Sequence, residues 1–219
     1  MGKVDDNKKQ KKHTLLRAAF QLFTEKGFSK TTVADIVDRA GLAKGTFYLY
    51  FKDKFDLRDK LIAYKATQLF NDAHLELDKA NVPTFEDEVL FMTDYIIGRF
   101  MTDEPLIQFV AKNLSWGIFQ AEVSNGAGVL PQAFFDHYLE SLELYHVNCT
   151  SPSLMLYTII ELIGSTSYSC ILKQTPVSMA EYMPYLHETL KKIIEVFTVK
   201  EDAEEHTKCK NRLDLFSQA

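Results

Sequence analysis

The sequence predicts an all-α protein: a three-helix head of helix-turn-helix form, then a larger helical body, about nine helices in all. Three observations lead there. Apolar residues recur at helical spacing along almost the whole chain, and strand-like alternation is scarce. The breakers fall between those segments at helical distances from one another. Near the N-terminus a helix, a short helix, a glycine turn and another short helix follow in order, which is the sequence form of a helix-turn-helix.

Each element has its own grounds. The stretch KKHTLLRAAFQLFTEK sets Leu15, Leu16, Ala19, Phe20, Leu22 and Phe23 along one broad stripe. Gly27 stands just past it, where a glycine commonly ends a helix. Thr31 and Thr32 offer N-cap hydroxyls, and Asp35, three residues after Thr32, is placed to complete a capping box. VADIVDRA then carries Val33, Ile36, Val37 and Ala40 at helical spacing, and Gly41 stops it. A third short helix covers about 44–51. At 100° per residue its Phe47 and Phe51 share one side and are expected to plug the head against Phe20, Phe23, Ile36 and Val37. Gly45, Thr46 and Leu49 fall on the opposite side, with Lys44 and Tyr48 on one flank and Tyr50 on the other. Asp53 is placed to cap a long helix over 54–79, and Pro83 marks the boundary after it. Further helices are expected near 84–101, 105–120, 131–147, 153–173 and 179–198. Their separators are DEP, SNGAGVLP, NCTSPS and KQTPVS. The tail over 200–219 is polar until Leu213, Leu215 and Phe216.

The chain has 219 residues, 46% of them hydrophobic, enough for a substantial core. Its net charge of −5 conceals an asymmetry. Residues 1–60 hold 14 Lys+Arg against 8 Asp+Glu, whereas residues 61–219 hold 11 against 22. A basic module on an acidic body is expected, and a basic patch is the footprint of phosphate contact. A solvated charged face has the same composition. No apolar run is read as long enough to span a membrane, and the charged opening MGKVDDNKKQKKH leads into no signal region. Cys149, Cys170 and Cys209 form no CxxC pair and are expected as reduced thiols of a cytoplasmic protein.

An enzyme finds little support. There is no nucleophile elbow, phosphate-binding glycine loop, HExxH or dinucleotide fingerprint, and no cofactor is expected. His137, His146 and Cys149 match no zinc spacing, so no metal site is expected.

The stretch AAFQLFTEKGFSKTTVADIVDRAGLAKGTFYLYFKDKFDL, residues 18–57, resembles the N-terminal domain of TetR-type transcriptional repressors. The residues carrying the resemblance are Phe23, Gly27, Phe28, Thr31, Thr32, Val33, Ala40 and Gly41, then Lys44, Gly45, Thr46, Phe47, Tyr48, Tyr50, Phe51 and Lys54. It covers about a quarter of the chain. Two positions depart from the pattern. Ala43 stands where the family often has Ser or Thr, so the third helix lacks a hydroxyl cap, which typically costs about 1 kcal/mol. Phe47 stands where leucine is commoner.

The resemblance implies a helix-turn-helix DNA-binding domain over 1–53 and an effector-binding and dimerisation domain over 54–219, joined through the helix 54–79. It places the residues at Lys44, Gly45 and Tyr48 near bases, and those at Thr32, Thr46, Tyr50 and Lys54 on the DNA backbone. The residue chemistry agrees except at Tyr48, which with Thr46, Tyr50 and Lys54 is better suited to phosphate oxygens. Lys44 suits guanine O6 or N7, and Leu49 a thymine methyl. Gly45 lets the backbone come close to base edges, and Thr31 and Thr32 at a helix N-terminus suit a phosphate. The leading lysines Lys3, Lys8, Lys9, Lys11 and Lys12 are read either as an arm toward DNA or as a solvated terminus.

The resemblance further implies a homodimer through the helices near 153–173 and 179–198, and a pocket for a small-molecule effector that releases the repressor from its operator. LMLYTIIELIGSTSYSCIL is apolar nearly all round and must be covered on all faces, in one subunit or across a dimer axis. The body's aromatics supply a pocket expected from Tyr95, Trp116, Phe119, Phe135, Tyr138 and Tyr157, with Glu161. A carboxylate at Glu161, far in sequence from any basic residue, favours a cationic or hydrogen-bonding ligand, or else a polar contact at the dimer seam. The alternative function is a helical sensor or interaction module without specific DNA binding.

Overall fold

The structure, a computed structural model, describes residues 3–111 and 132–199. Nine helices run through the described residues: α1 (Lys3–Lys26), α2 (Val33–Ala40), α3 (Lys44–Tyr48), α4 (Lys54–Leu77), α5 (Phe85–Thr102), α6 (Glu104–Val110), α7 (Gln132–Leu144), α8 (Pro152–Leu172) and α9 (Met179–Phe197). The all-α reading holds. An isolated antiparallel bridge, Cys149 with Thr198, is the sole β-type pairing among the described residues.

The head forms because α1, α2 and α3 each present one apolar side to a common centre. Leu15, Leu16, Leu22, Phe23, Ile36, Val37, Phe47 and Phe51 are buried there, joined by Leu57 and Leu61 of α4. Local chemistry fixes the corners. Gly27 and Gly41 take φ of 84° and 64°, the left-handed region that glycine enters without a Cβ penalty. Thr32 caps α2 as the sequence predicts: its Oγ1 accepts from the Asp35 N–H, and the Asp35 carboxylate accepts from the Thr32 N–H at 2.7 Å. Asp53 caps α4 through the Asp56 N–H at 2.8 Å.

Helix α4 belongs to two cores. Its first half closes the head, and Ala66, Leu69 and Phe70 enter the body core. Its 24 residues make a rod of about 36 Å. The body packs α5, α6, α8 and α9 around Phe100, Ile107, Met155, Leu186 and Leu190, all but fully buried. Phe109 of α6 bridges the two units. It stacks on Phe23 at 5.9 Å and meets Phe20 edge-on at 5.7 Å.

Four expectations change. Helix α1 begins at Lys3, so the leading lysines lie on a continuous helix. Helix α3 ends at Tyr48, because the Leu49 and Tyr50 N–H groups turn back to Thr46 and Phe47 in a tighter bend, with Phe51 still inward. Helix α7 ends at Leu144. His146 enters the left-handed region at φ 53°, and the Val147 N–H closes onto the Leu142 carbonyl. Finally, α8 is long and apolar enough to cross a membrane by length and composition. Here it is a packed helix, with Met155, Ile159, Ile160 and Ile163 in the body core. The part of the 105–120 helix beyond Ala111, Cys209 and the 200–219 tail lie outside the described residues.

Candidate nucleic-acid interface and body cavity

Helix α3 divides by angle as its spacing predicts. Phe47 and Phe51 are 0% and 1% exposed, whereas Tyr48 and Leu49 are 53% and 79% exposed. Lys44 and Gly45 are also exposed, and Thr46 and Tyr50 are half-buried. The result is a short outward ridge, Lys44, Gly45, Tyr48 and Leu49, held from beneath by two phenylalanines. Ala43 gives α3 no side-chain cap, so packing of Phe47 and Phe51 must hold the helix.

Gly45 is informative. A Cβ built on it meets no protein atom within 4 Å, and its backbone is ordinary helix. Neither conformation nor internal packing therefore calls for glycine, although glycine in a helix costs about 1 kcal/mol against alanine. The ridge is left bare on its outer side at that point.

Two expected phosphate contacts need correction. Thr31 is 1% exposed, and its hydroxyl donates inward to the carbonyls of Gly27 and Leu22. It is a buried turn-holder with no hydroxyl to offer outward. Lys54 Nζ donates to the carbonyls of Phe28 and Thr31, both at 2.8 Å, and lies 4.3 Å from the Phe28 ring centre. It staples α4 to the turn before α2, leaving one ammonium hydrogen for another acceptor. Thr32 is exposed, but its hydroxyl already donates to Asp35 at 2.8 Å. Lys26, 2.8 Å from Asp35, holds that carboxyl well below the usual range, and the Thr32 hydrogen bonds add to the effect.

The body contains a cavity of about 80 Å³ among α4, α5, α7 and α8. Its wall is mostly apolar: Phe70, Val89, Met92, Phe134, Leu156 and Ile160 contribute. The polar groups gather at one end. His74 and His137 lie ring to ring with centres 4.3 Å apart. Glu88 beside them accepts from the Ser141 hydroxyl at 2.6 Å. Burial pushes the Glu88 carboxyl up, against the Ser141 hydrogen bond and the charge of His74, which pull it down. Tyr138 is turned away, donating to the Pro152 carbonyl at 3.0 Å.

Of the expected pocket residues, Tyr138 lines this cavity. Tyr95 and Phe135 are half-buried and pack at the core without reaching it. Trp116 and Phe119 lie outside the described residues. Glu161 is exposed and Tyr157 is 45% exposed, so the expected carboxylate at the pocket wall is overturned. The reason is rotational. An almost uniformly apolar α8 does not announce its inner side, and packing turns Ile159, Ile160 and Ile163 inward. Sequence reasoning missed Glu88, although the signal was present: Phe85, Glu88, Met92 and Ile96 recur at helical spacing.

Residues 15–61 match the family described as bacterial regulatory proteins, tetR family. The HTH-type transcriptional regulator YvdT of Bacillus subtilis is 52% identical over 40 residues, covering 18% of this chain and 21% of YvdT. The HTH-type transcriptional repressor KstR2 of Mycolicibacterium smegmatis is 33% identical over 81 residues, covering 37% of this chain and 40% of KstR2. The chain thus spans about a fifth to two fifths of the length of these curated relatives. The fold likeness extends further. A TetR family transcription regulator from Marinobacter aquaeolei superposes with a TM-score of 0.56 at 16% identity, over 91% of this chain and 100% of the other. FadR from Bacillus subtilis, solved in complex with stearoyl-CoA, gives 0.55 at 17% identity, over 81% and 96%. With the ridge of α3 on its buried phenylalanine base and the capped α2 before it, residues 15–61 form a helix-turn-helix head that matches the tetR family of bacterial regulatory proteins, and the helical body behind it shares the fold of solved regulators of that family.

Proposed function

We propose that this chain is a sequence-specific DNA-binding transcriptional regulator, a repressor released from its operator by a small-molecule effector. The observation that carries this reading is the outward ridge of α3, where Lys44, Gly45, Tyr48 and Leu49 stand exposed on a rigid base. A recognition helix enters the major groove with its N-terminal residues at base edges, and Lys44 and Gly45 open α3. Lys44, Gly45, Tyr48 and Leu49 read bases. Thr32, Thr46, Tyr50 and the remaining donor of Lys54 meet the DNA backbone. Residues 1–53 form the DNA-binding unit and 54–219 the effector and dimer unit, with α4 shared between them.

The working form is a cytoplasmic homodimer through α8 and α9. Leu154, Tyr157, Tyr185 and Val196 leave apolar surface on those helices, 53%, 45%, 71% and 77% exposed, that a second copy would cover. The cavity among α4, α5, α7 and α8 receives the effector. No catalytic role is assigned.

A mobility shift with the DNA upstream of the chain's own gene tests the reading. Sequence-specific binding that weakens steeply with salt is expected. Binding indifferent to sequence would favour a helical interaction module without an operator, and a complete lack of binding would refute both.

A further inference from the structure

The cavity continues outward into a second, open hollow of about 910 Å³ between the end of α4, the start of α5 and α7. His74, Glu88 and His137 line both spaces and so form the gate between them. The outer hollow carries carboxylates at Asp78, Glu140 and Glu143. Among the described residues, no lysine or arginine lines either space. The path from solvent to cavity is therefore lined by negative charge, ends at one half-buried carboxyl, and leads into an apolar chamber.

A ligand that fits must complement both parts. Its buried portion must be apolar, since the inner wall offers few polar partners. Its head must remain near Glu88. An anionic head would meet carboxylates with no fixed cation to offset them, and desolvating it there is costly. A cationic head meets Glu88 directly, with Glu140 and Asp78 behind the two histidines at 3.3 and 3.9 Å. A metal ion is a poor occupant: no group of three His, Cys, Asp or Glu among the described residues is arranged to hold one. The chamber, at about 80 Å³, is smaller than the roughly 150 Å³ cavity that admits benzene, so the end of an alkyl chain enters it and the rest lies toward the gate.

We propose that this site takes an alkyl ammonium amphiphile, its chain in the inner cavity and its charged nitrogen at the gate of His74, Glu88 and His137. The inference rests on the effector reading above and gives that site its ligand class. It also separates this chain from FadR, whose bound stearoyl-CoA is an anionic thioester.

The test compares n-octylammonium, octanoate and 1-octanol by calorimetric titration of the full chain and of Glu88→Gln. The ammonium is expected to bind at least tenfold more tightly than octanoate. In Glu88→Gln that preference falls at least fivefold, while octanol binding is unchanged. Burial pushes the Glu88 carboxyl up, so ammonium binding, which favours the carboxylate, should weaken as pH falls through its titration. Octanoate binding as tightly as the ammonium, an unchanged preference in the variant, or no binding by any of the three would overturn the proposal. The wild-type comparison decides even if the variant misfolds. Operator affinity is measured beside it. Ammonium binding that leaves the operator complex unchanged would refute effector release and leave the ligand class standing.

Discussion

Replacing Gly45 by alanine separates stability from recognition in one change. In the free protein the added methyl meets nothing within 4 Å, and the backbone at Gly45 is already helical. The substitution should stabilise the chain by about 0.5–1 kcal/mol, from reduced freedom of the unfolded chain and better helix propensity. For a chain of this size that raises Tm by about 2–4 °C per kcal/mol. On DNA the same methyl stands on the outer ridge between Lys44 and Tyr48, where the proposed approach to base edges is closest. Pushing the helix back by about one carbon–carbon bond length strains the Lys44 contact, and a bidentate base contact is worth about 1–3 kcal/mol. Operator affinity should therefore fall about tenfold to a hundredfold. Thermal unfolding and a mobility shift at one fixed salt concentration read the two effects. A variant that is more stable and binds DNA as tightly as before would refute the reasoning, because glycine would then have no role on either side.

Lys54→Met should destabilise the chain by about 2 kcal/mol in urea unfolding, since it removes two ammonium–carbonyl bonds between α4 and the turn before α2. A fully stable variant with weakened DNA binding would restore Lys54 to a purely phosphate-binding role. Thr32→Ala should cost about 1 kcal/mol by dissolving the capping box of α2, read by the same unfolding curves. Glu88 sets a pH dependence. Its folded value is raised by burial, so its contribution is fully present below the unfolded value and is lost as pH rises through the folded one. Stability measured across that window should fall in the wild type, and the fall should be shallower in Glu88→Gln.

The sequence makes local geometry legible and leaves rotation between elements obscure. Phe47 and Phe51 could be set apart from Tyr48 and Leu49 because near neighbours in a helical turn and its tight continuation fix their own angles. Thr32 with Asp35, and Asp53 before α4, were legible for the same reason: a cap involves neighbours in the chain. Thr31 was not, because its hydroxyl reaches back to Leu22, nine residues away. Lys54 reaches 26 residues back to Phe28, which no spacing announces. Glu161 misleads for the converse reason. It is the conspicuous acid of an apolar helix, yet α8 turns that position outward. Glu88 hides in FEDE at the start of α5, where acidic residues are already accounted for by the helix N-terminus. Its distinction comes from Ser141 and His137 on α7, brought to it only by the fold.

The two proposed sites share a rod. Lys54 fixes one end of α4 to the turn before α2, and Leu57 and Leu61 lie in the head core. Further along, Phe70 and His74 line the body cavity. No flexible linker intervenes, and Phe109 braces α1 against α6 besides. Head and body are therefore coupled through α4 and Phe109. On the proposed reading, a ligand at the gate acts by tilting α4. Lys54 and His74 are about 30 Å apart along the helix, so a tilt of about 5° about the His74 end moves the Lys54 end by about 2–3 Å. Hydrogen bonds to bases tolerate only a few tenths of an ångström, so that displacement is ample to break them. Filling the cavity is not enough by itself. A ligand with equal affinity for the straight and tilted positions shifts nothing, however tightly it binds. The gate residues make the difference possible because they come from separate elements: His74 rides on the rod, while Glu88 and His137 belong to α5 and α7. On the proposed reading, a cation drawn in among them would change their spacing, and the rod is the member that also carries the head.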